Sequence, residues 1–223
     1  ALAADIYAPF DSVFADTCAK AAVSARKWAY NHPYDFYEQP SDVGTGTYTN
    51  ASVWTIKLWA NAELYRITGD EVFQDSMRTL KINRKKASVQ GWANDLMLEA
   101  FTVATNPDIF DQEFVDTAKV MIFTLADNFI ESLEGNGYGV AMTNDDFFWG
   151  SNGQAANKGM ILIHAYILSK EEKYLNAAIG IADYLLGRNP LEKSYLTGFG
   201  VNPVMNPHHR PSQADGIEAP VPG

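Results

Sequence analysis

The sequence predicts an all-α fold, built as antiparallel helical hairpins around an axis with the long loops gathered at one end. Three observations carry that expectation. Apolar residues recur at steps of three and four in successive segments, no segment alternates convincingly with a period of two, and Gly or Pro punctuation separates the segments. An α-solenoid would supply similar helices, but no repeat of fixed period supports one.

The elements follow in order. From Asp11 to Asn31 the positions Phe14, Cys18, Ala21, Ala25 and Trp28 form one helical face, and Pro33 stops it. A loop rich in Tyr, Pro and Gly runs from Pro33 to Thr49 and brings Tyr34, Phe36, Tyr37 and Tyr48 close in sequence. Asn50 or Ser52 then caps a helix striped by Ile56, Ala60, Leu64 and Ile67, which Gly69 closes in a left-handed conformation. Asp70 caps a short helix over Glu71–Ile82, and Asn83–Lys86 reads as a basic, solvated connection. Gln90–Thr105 reads as helix, and a turn at Asn106–Asp108 leads into a long helix from Asp111 to Leu133, striped by Phe114, Ala118, Met121, Leu125 and Phe129. Gly135, Gly137 and Gly139 end it. After the loop Tyr138–Ser151 comes a helix with Ala156, Met160, Ile163 and Ile167 inward. Ser169 and Glu172 match a capping box for the last helix, striped by Tyr174, Ala178, Ile181 and Leu185 and ended by Gly187 and Pro190. Beyond Pro190 no periodicity survives, so the tail is expected to be extended and functional rather than helical. This makes about seven helices by periodicity alone.

Composition narrows the function. At 223 residues and 47% hydrophobic, the chain can bury one large core or two small ones, and one domain is the default. Seventeen Lys and Arg against 27 Asp and Glu give a net charge of −10, which repels a phosphate backbone and argues against nucleic acid. The single cysteine, Cys18, excludes an intrachain disulfide and a multi-cysteine metal site, and its place on an apolar stripe suits a core thiol. No apolar run approaches the roughly 20 residues that span a bilayer, so no membrane partner is expected. Ala1–Asp5 lacks the basic start and apolar centre of a signal peptide, so any export signal is expected to lie upstream or to have been removed. Aromatics make up 13% of residues, several in loops where flat rings suit the faces of sugars.

The chemistry concentrates near the C-terminus. Asn206-Pro207-His208-His209-Arg210-Pro211 puts two imidazoles and a guanidinium between prolines, after the Gly-rich Ser194-Tyr195-Leu196-Thr197-Gly198-Phe199-Gly200. In an extended segment His208 and Arg210 face one side together and His209 the other. A forked donor beside a titratable ring suits a polar ligand; histidines satisfied by backbone and an arginine bridging to a surface carboxylate is the plainer alternative. Adjacent histidines lack the i, i+4 spacing of a helical metal site, and His32 and His164 show no ligand pattern, so zinc is disfavoured and no metal ligand is assigned. Asp145-Asp146 could be paired acid and base, but Asn-Asp-Asp before aromatics is more often turn chemistry, which is the reading preferred here. Trp149, beside Gly150 at a loop-to-helix junction, is either a lid on the core or a stacking platform. The sequon Asn50-Ala51-Ser52 carries no weight.

Phe148-Trp149-Gly150-Ser151-Asn152, Asp183-Tyr184-Leu185-Leu186-Gly187-Arg188-Asn189-Pro190, the Ser194–Gly200 segment and Pro207-His208-His209-Arg210-Pro211-Ser212 together resemble glycoside hydrolase family 9, the cellulases, in wording most like bacterial members with an immunoglobulin-like domain before the catalytic one. Leu64-Tyr65-Arg66-Ile67-Thr68-Gly69-Asp70 is similar to a further family segment. The resemblance runs over nearly the whole chain and implies an (α/α)6 barrel that hydrolyses β-1,4-glucan with inversion. It implies that His208 and Arg210 hold the sugar around the cleaved bond, that Trp149 stacks on a glucosyl ring, and that Tyr195 joins them in substrate binding. Inversion needs an acid and a base roughly 6.5–9.5 Å apart.

The family's Asp-Ala-Gly-Asp base motif would fall upstream of Ala1 and its acid Glu downstream of Gly223, so no catalytic residue is assigned and residues 1–223 are expected to be part of a catalytic domain truncated at both ends. The acidic calcium-binding pair of some members aligns roughly with Thr55 and Ile56, so no cofactor is assigned, and structural calcium is left to the parent domain. Arg84 and Lys85 stand where many relatives carry an aromatic platform. The expected partners are cellulose or cellodextrin and the remaining half of the domain, and the expected location is secreted or extracellular in a bacterium, or periplasmic. A non-catalytic glycan-binding scaffold is the alternative, and a partial ring would expose apolar faces meant for the missing hairpins.

Overall fold

The computed structural model describes residues 1–44, 53–80, 87–91 and 94–223. The expectations for Tyr48, the Asn50 or Ser52 cap with its sequon, Arg84 and Lys85 lie outside the described residues. The described regular elements are helical, as expected, and the chain forms two compact units, Ala1–Met121 and Ile122–Gly223, with the boundary inside one long helix.

The first unit opens with a helix the periodicity did not reveal, α1 (Leu2–Tyr7), which is too short for a stripe. It is held by an ion pair from Asp5 to Arg66 at 2.8 Å and by the edge of Tyr7 against Phe14, 4.9 Å between ring centroids. In α2 (Ser12–Asn31), Asp11 caps the start by accepting from the Phe14 N–H at 2.9 Å. The predicted inward face of α2 is corrected: Phe14, Ala21, Ala25 and Trp28 are exposed and Cys18 is half-buried, so the core thiol is also only partial. Ala15, Ala22, Arg26 and Ala29 lie on the more buried side, where small side chains allow close approach.

Helix α3 (Val53–Thr68) buries Leu58, Asn61, Ala62, Leu64 and Tyr65, so of the expected stripe Leu64 lies deepest, with Ile56, Ala60 and Ile67 half-buried. Gly69 at φ 67° closes it, and Asp70 caps α4 (Glu71–Thr79) by accepting from Val72 N–H at 3.1 Å, both as predicted. The chain leaves the helix at Leu80, short of the predicted Ile82. The predicted helix from Gln90 is corrected to α5 (Leu96–Ala104). Asn94 is the reason. Its side chain turns back to Ser88 Oγ at 2.6 Å and accepts from Leu96 N–H at 3.3 Å, competing with helix before Asp95. Helix α6 (Gln112–Glu131) follows, with Phe114, Ala118, Met121 and Phe129 buried and Leu125 half-buried.

In the second unit α7 (Ser151–Ser169) packs on α8 (Glu172–Leu185). The α7 stripe is corrected by one position: Ala155, Lys158, Ile161, Leu162 and Ala165 are buried, while Ala156, Met160, Ile163 and Ile167 are exposed. The helix is apolar on both sides, so spacing alone chose the wrong one. The capping box expected at Ser169 does not form. Ser169 ends α7, its hydroxyl donating to Ala165 O at 2.9 Å and accepting from Glu171 N–H at 3.1 Å, and Glu171 takes the N-cap place. The α8 stripe holds, with Tyr174, Ala178 and Ile181 buried and Leu185 half-buried. The tail, expected to lack helix, contains the short α9 (Arg210–Ala214), where Pro211 sits in the first turn that proline favours.

Gly180 lets α8 lie against the preceding loop. A Cβ there would stand 2.4 Å from Gly139 O and 3.3 Å from Arg188 Nη2, which itself donates to Gly180 O at 3.2 Å. In an open helix Gly→Ala stabilises by about 1 kcal/mol. Here the sign should reverse: Gly180→Ala is expected to destabilise by about 1–3 kcal/mol through overpacking, read from the urea midpoint. A midpoint that rises would show that the Gly139 loop yields freely.

Candidate functional site

Trp149 is 87% exposed and Gly150, at φ 83°, follows it as the N-cap of α7. An indole so exposed does not cover the core, and the loop beneath it is anchored from inside. Asn144–Asp146 forms a 3-10 turn closed by a capping box, with Asp146 Oδ2 accepting from Thr143 N–H at 2.8 Å and from the Thr143 hydroxyl at 3.0 Å. The turn preferred for Asp145-Asp146 is therefore present. Asp146 also meets Lys158 Nζ at 2.5 Å with both side chains buried, and Lys158 donates to Ala141 O at 3.0 Å and lies 4.9 Å from the centre of the Phe129 ring. Burial pushes the Asp146 carboxyl up, but the Lys158 ammonium and the Thr143 donors outweigh it, so the carboxyl titrates below its ordinary value. The pair ties loop to helix three residues before Trp149.

The Gly-rich segment is built on Asn189. Its buried side chain donates to Tyr184 O at 2.7 Å and Lys193 O at 2.8 Å and accepts from Leu191 N–H at 3.1 Å, which folds the chain back after α8. Ser194 pairs in parallel with Pro203 through N–H to Asn202 O at 2.9 Å and C=O from Val204 N–H at 3.0 Å. Tyr195 is half-buried, donates its N–H to Leu185 O at 2.8 Å, and sets its ring 5.9 Å from Tyr184. Burial, then the neighbouring Tyr195 hydroxyl, pushes the Tyr184 hydroxyl up.

His208 and Arg210 are exposed, and no hydrogen bond or ion pair engages either side chain among the described residues. The expected continuous extended run is corrected: His209 is extended, at φ −132° and ψ 102°, but Arg210 begins α9 because the prolyl φ of the next residue suits a helical turn. His209 Nδ1 lies 2.8 Å from Ser212 Oγ. Trp149, Tyr195, His208 and Arg210 all lie in the second unit, and among the described residues no hydrogen bond or ring contact joins one to another. Thr55 and Ile56 sit on α3 and bring no carboxylate, and no group of three or more His, Cys, Asp or Glu that could hold a metal occurs among the described residues. The sequence reading missed the Asp146–Lys158 pair. Its signal was a lysine at the spacing of Ala155, Ile161, Leu162 and Ala165.

The family model for glycosyl hydrolase family 9 matches residues 1–223. Among curated proteins, the chain is 33% identical over 231 residues to endoglucanase D of Acetivibrio thermocellus, covering 100% of this chain and 36% of that protein. It is 33% identical over 216 residues to the xyloglucan-specific endo-β-1,4-glucanase BoGH9A of Bacteroides ovatus, covering 91% of this chain and 36% of that protein. Among solved structures, a Bacteroides ovatus family 9 protein superposes with a TM-score of 0.88 at 30% identity, covering 99% of this chain and 43% of that one. AaCel9A, solved with a cellobiose-like isofagomine, superposes with a TM-score of 0.84 at 32% identity, covering 99% and 42%. The chain thus spans 36–43% of the length of these relatives. The match along the whole of residues 1–223 and the helical likeness to solved members agree, and the chain belongs to glycosyl hydrolase family 9.

Proposed function

We propose that this chain is the substrate-holding part of an inverting endo-1,4-β-glucanase acting on cellulose or cellodextrins, within a six-hairpin barrel completed by residues outside these 223. The observation that carries the reading is Trp149, an indole 87% exposed on a loop locked by a buried ion pair, within a chain matched throughout to a glucan-cleaving family. An exposed indole at the surface gives back no core stability, and a flat ring on a fixed base suits stacking against the apolar face of a pyranose. Arg210 offers a planar fork of donors for sugar hydroxyls, and His208 donates or accepts beside it. Tyr195 fixes one wall from the Gly-rich segment. The acid and the base that cleave the bond belong to the rest of the domain, and these residues orient the sugar for them. Secretion follows from an insoluble polymeric substrate. No described helix is long and apolar enough to cross a membrane.

The test is Trp149→Ala in the full-length protein. Cellotetraose affinity, measured by calorimetry, should fall about tenfold while the melting temperature stays put, because an exposed surface side chain contributes little to stability. Unchanged affinity would remove the stacking role.

A further inference from the structure

Three stretches that stand apart in the sequence meet at one residue. Val221 donates its N–H to the Ser212 hydroxyl at 2.9 Å and accepts at its C=O from the Thr197 hydroxyl at 2.6 Å. Gly223 N–H closes the exchange by donating to Thr197 O at 3.0 Å. Pro220 and Thr197 are buried, and Pro222 fills the space over Gly198, where a Cβ would come within 2.8 Å of it. Gly198 at φ 75° is therefore required twice, for its backbone conformation and for the proline against it.

The Ser212 hydroxyl is the hinge of this arrangement. Its oxygen accepts from the Val221 N–H and lies 2.8 Å from His209 Nδ1. His209 and Ser212 bracket Arg210, so their contact closes the first turn of α9 around the backbone that carries the guanidinium. The same residue of the tail thus bears on the Arg210 turn through Ser212 and on the Tyr195 loop through Thr197.

We propose that residues 220–223 act as a strap, through Ser212 and Thr197, that sets the His208/Arg210 pair against the Tyr195 loop, making Ser212 and Thr197 positioning residues for sugar binding. The proposal rests on the reading of Arg210 as a sugar contact. Ser212 and Thr197 touch no sugar themselves. They keep two walls of one site in register although ten residues of Pro- and Gly-containing chain, 198–207, separate Thr197 from His208.

The test uses kinetics on cellotetraose with the full-length protein, comparing Ser212→Ala, Ser212→Thr, Thr197→Val and Arg210→Ala. Ser212→Ala and Thr197→Val should each lower kcat/KM about tenfold, since small misplacement of a holding group is costly in rate. Ser212→Thr keeps the hydroxyl and should restore most of the loss. In an Arg210→Ala background Ser212→Ala should add no further loss, because the group it positions is gone. A merely structural role would lower the melting temperature and leave the two kinetic effects additive. Wild-type kinetics for Ser212→Ala and Thr197→Val, or full additivity, with Arg210→Ala impaired, would overturn the strap and leave the clamp standing. Wild-type kinetics for Arg210→Ala would overturn both.

Discussion

Replacing Lys158 with methionine should destabilise the chain by about 3–5 kcal/mol, because it leaves the Asp146 carboxylate buried without its cation. Methionine keeps the length and apolar contact of the lysine stem beside Phe129, so the loss isolates the charge. The double variant Asp146→Leu/Lys158→Met should recover most of it, since removing both charges removes the desolvation cost as well. The pH dependence has a definite sign. The folded Asp146 carboxyl lies below its unfolded value, so the pair stabilises fully above about pH 4 and is lost as pH falls through the lower, folded titration. The gap between wild type and Lys158→Met should therefore narrow in acid. Urea melts at pH 7 and pH 3 check both statements; a gap that stays constant would mean the pair does not carry the stability.

The pair also shows what the sequence could and could not disclose. Helix starts and stops were legible where the chain names them chemically, as at Gly69 and Asp70, each of which adopts the predicted cap. Stripes were legible where one side of the helix is polar: Phe114, Ala118, Met121 and Phe129 of α6 are buried as read. On α7 both sides are apolar, and the one charge that marks the inward face, Lys158, reads as solvent-facing until its partner twelve residues earlier is known. On α2 the large residues Phe14 and Trp28 drew the stripe, whereas the buried side is drawn by alanines. At the site, the extended run expected through Arg210 gives way to the first turn of α9. Trp149 is exposed, and the turn at Arg210 carries a His209–Ser212 contact that Val221, nine residues further on, joins through Ser212, which no local pattern encodes.

The 223 residues by themselves should release no reducing sugar from cellotetraose. Inverting hydrolysis requires a protonated carboxyl near neutral pH and a carboxylate that activates water, roughly 6.5–9.5 Å apart. Two of the buried acids are committed elsewhere: Asp146 to Lys158, and Glu63 to Arg66 at 3.0 Å and to the Thr102 hydroxyl at 2.5 Å; Glu99, also buried, lies within α5 of the first unit, apart in sequence from Trp149, Tyr195 and Arg210. Asp127 and Asp146 both titrate below their ordinary value, Asp127 because the Tyr174 hydroxyl and then Lys173 donate to its charged form. That is the wrong direction for a general acid, whose proton must survive to neutral pH. Asp215, next to α9 and nearest in sequence to Arg210, spends one oxygen on the Ile217 N–H at 2.9 Å in a turn. Cellotetraose incubated with the purified chain and assayed by chromatography should therefore remain intact, while on the proposed function the full-length protein should cleave it to products of inverted anomeric form. Turnover by the chain alone would place an acid and a base among its own carboxyls, with Asp145, Glu192, Asp215 and Glu218 the exposed ones of the second unit closest in sequence to Trp149, Tyr195 and Arg210, and would make the segment an enzyme in its own right.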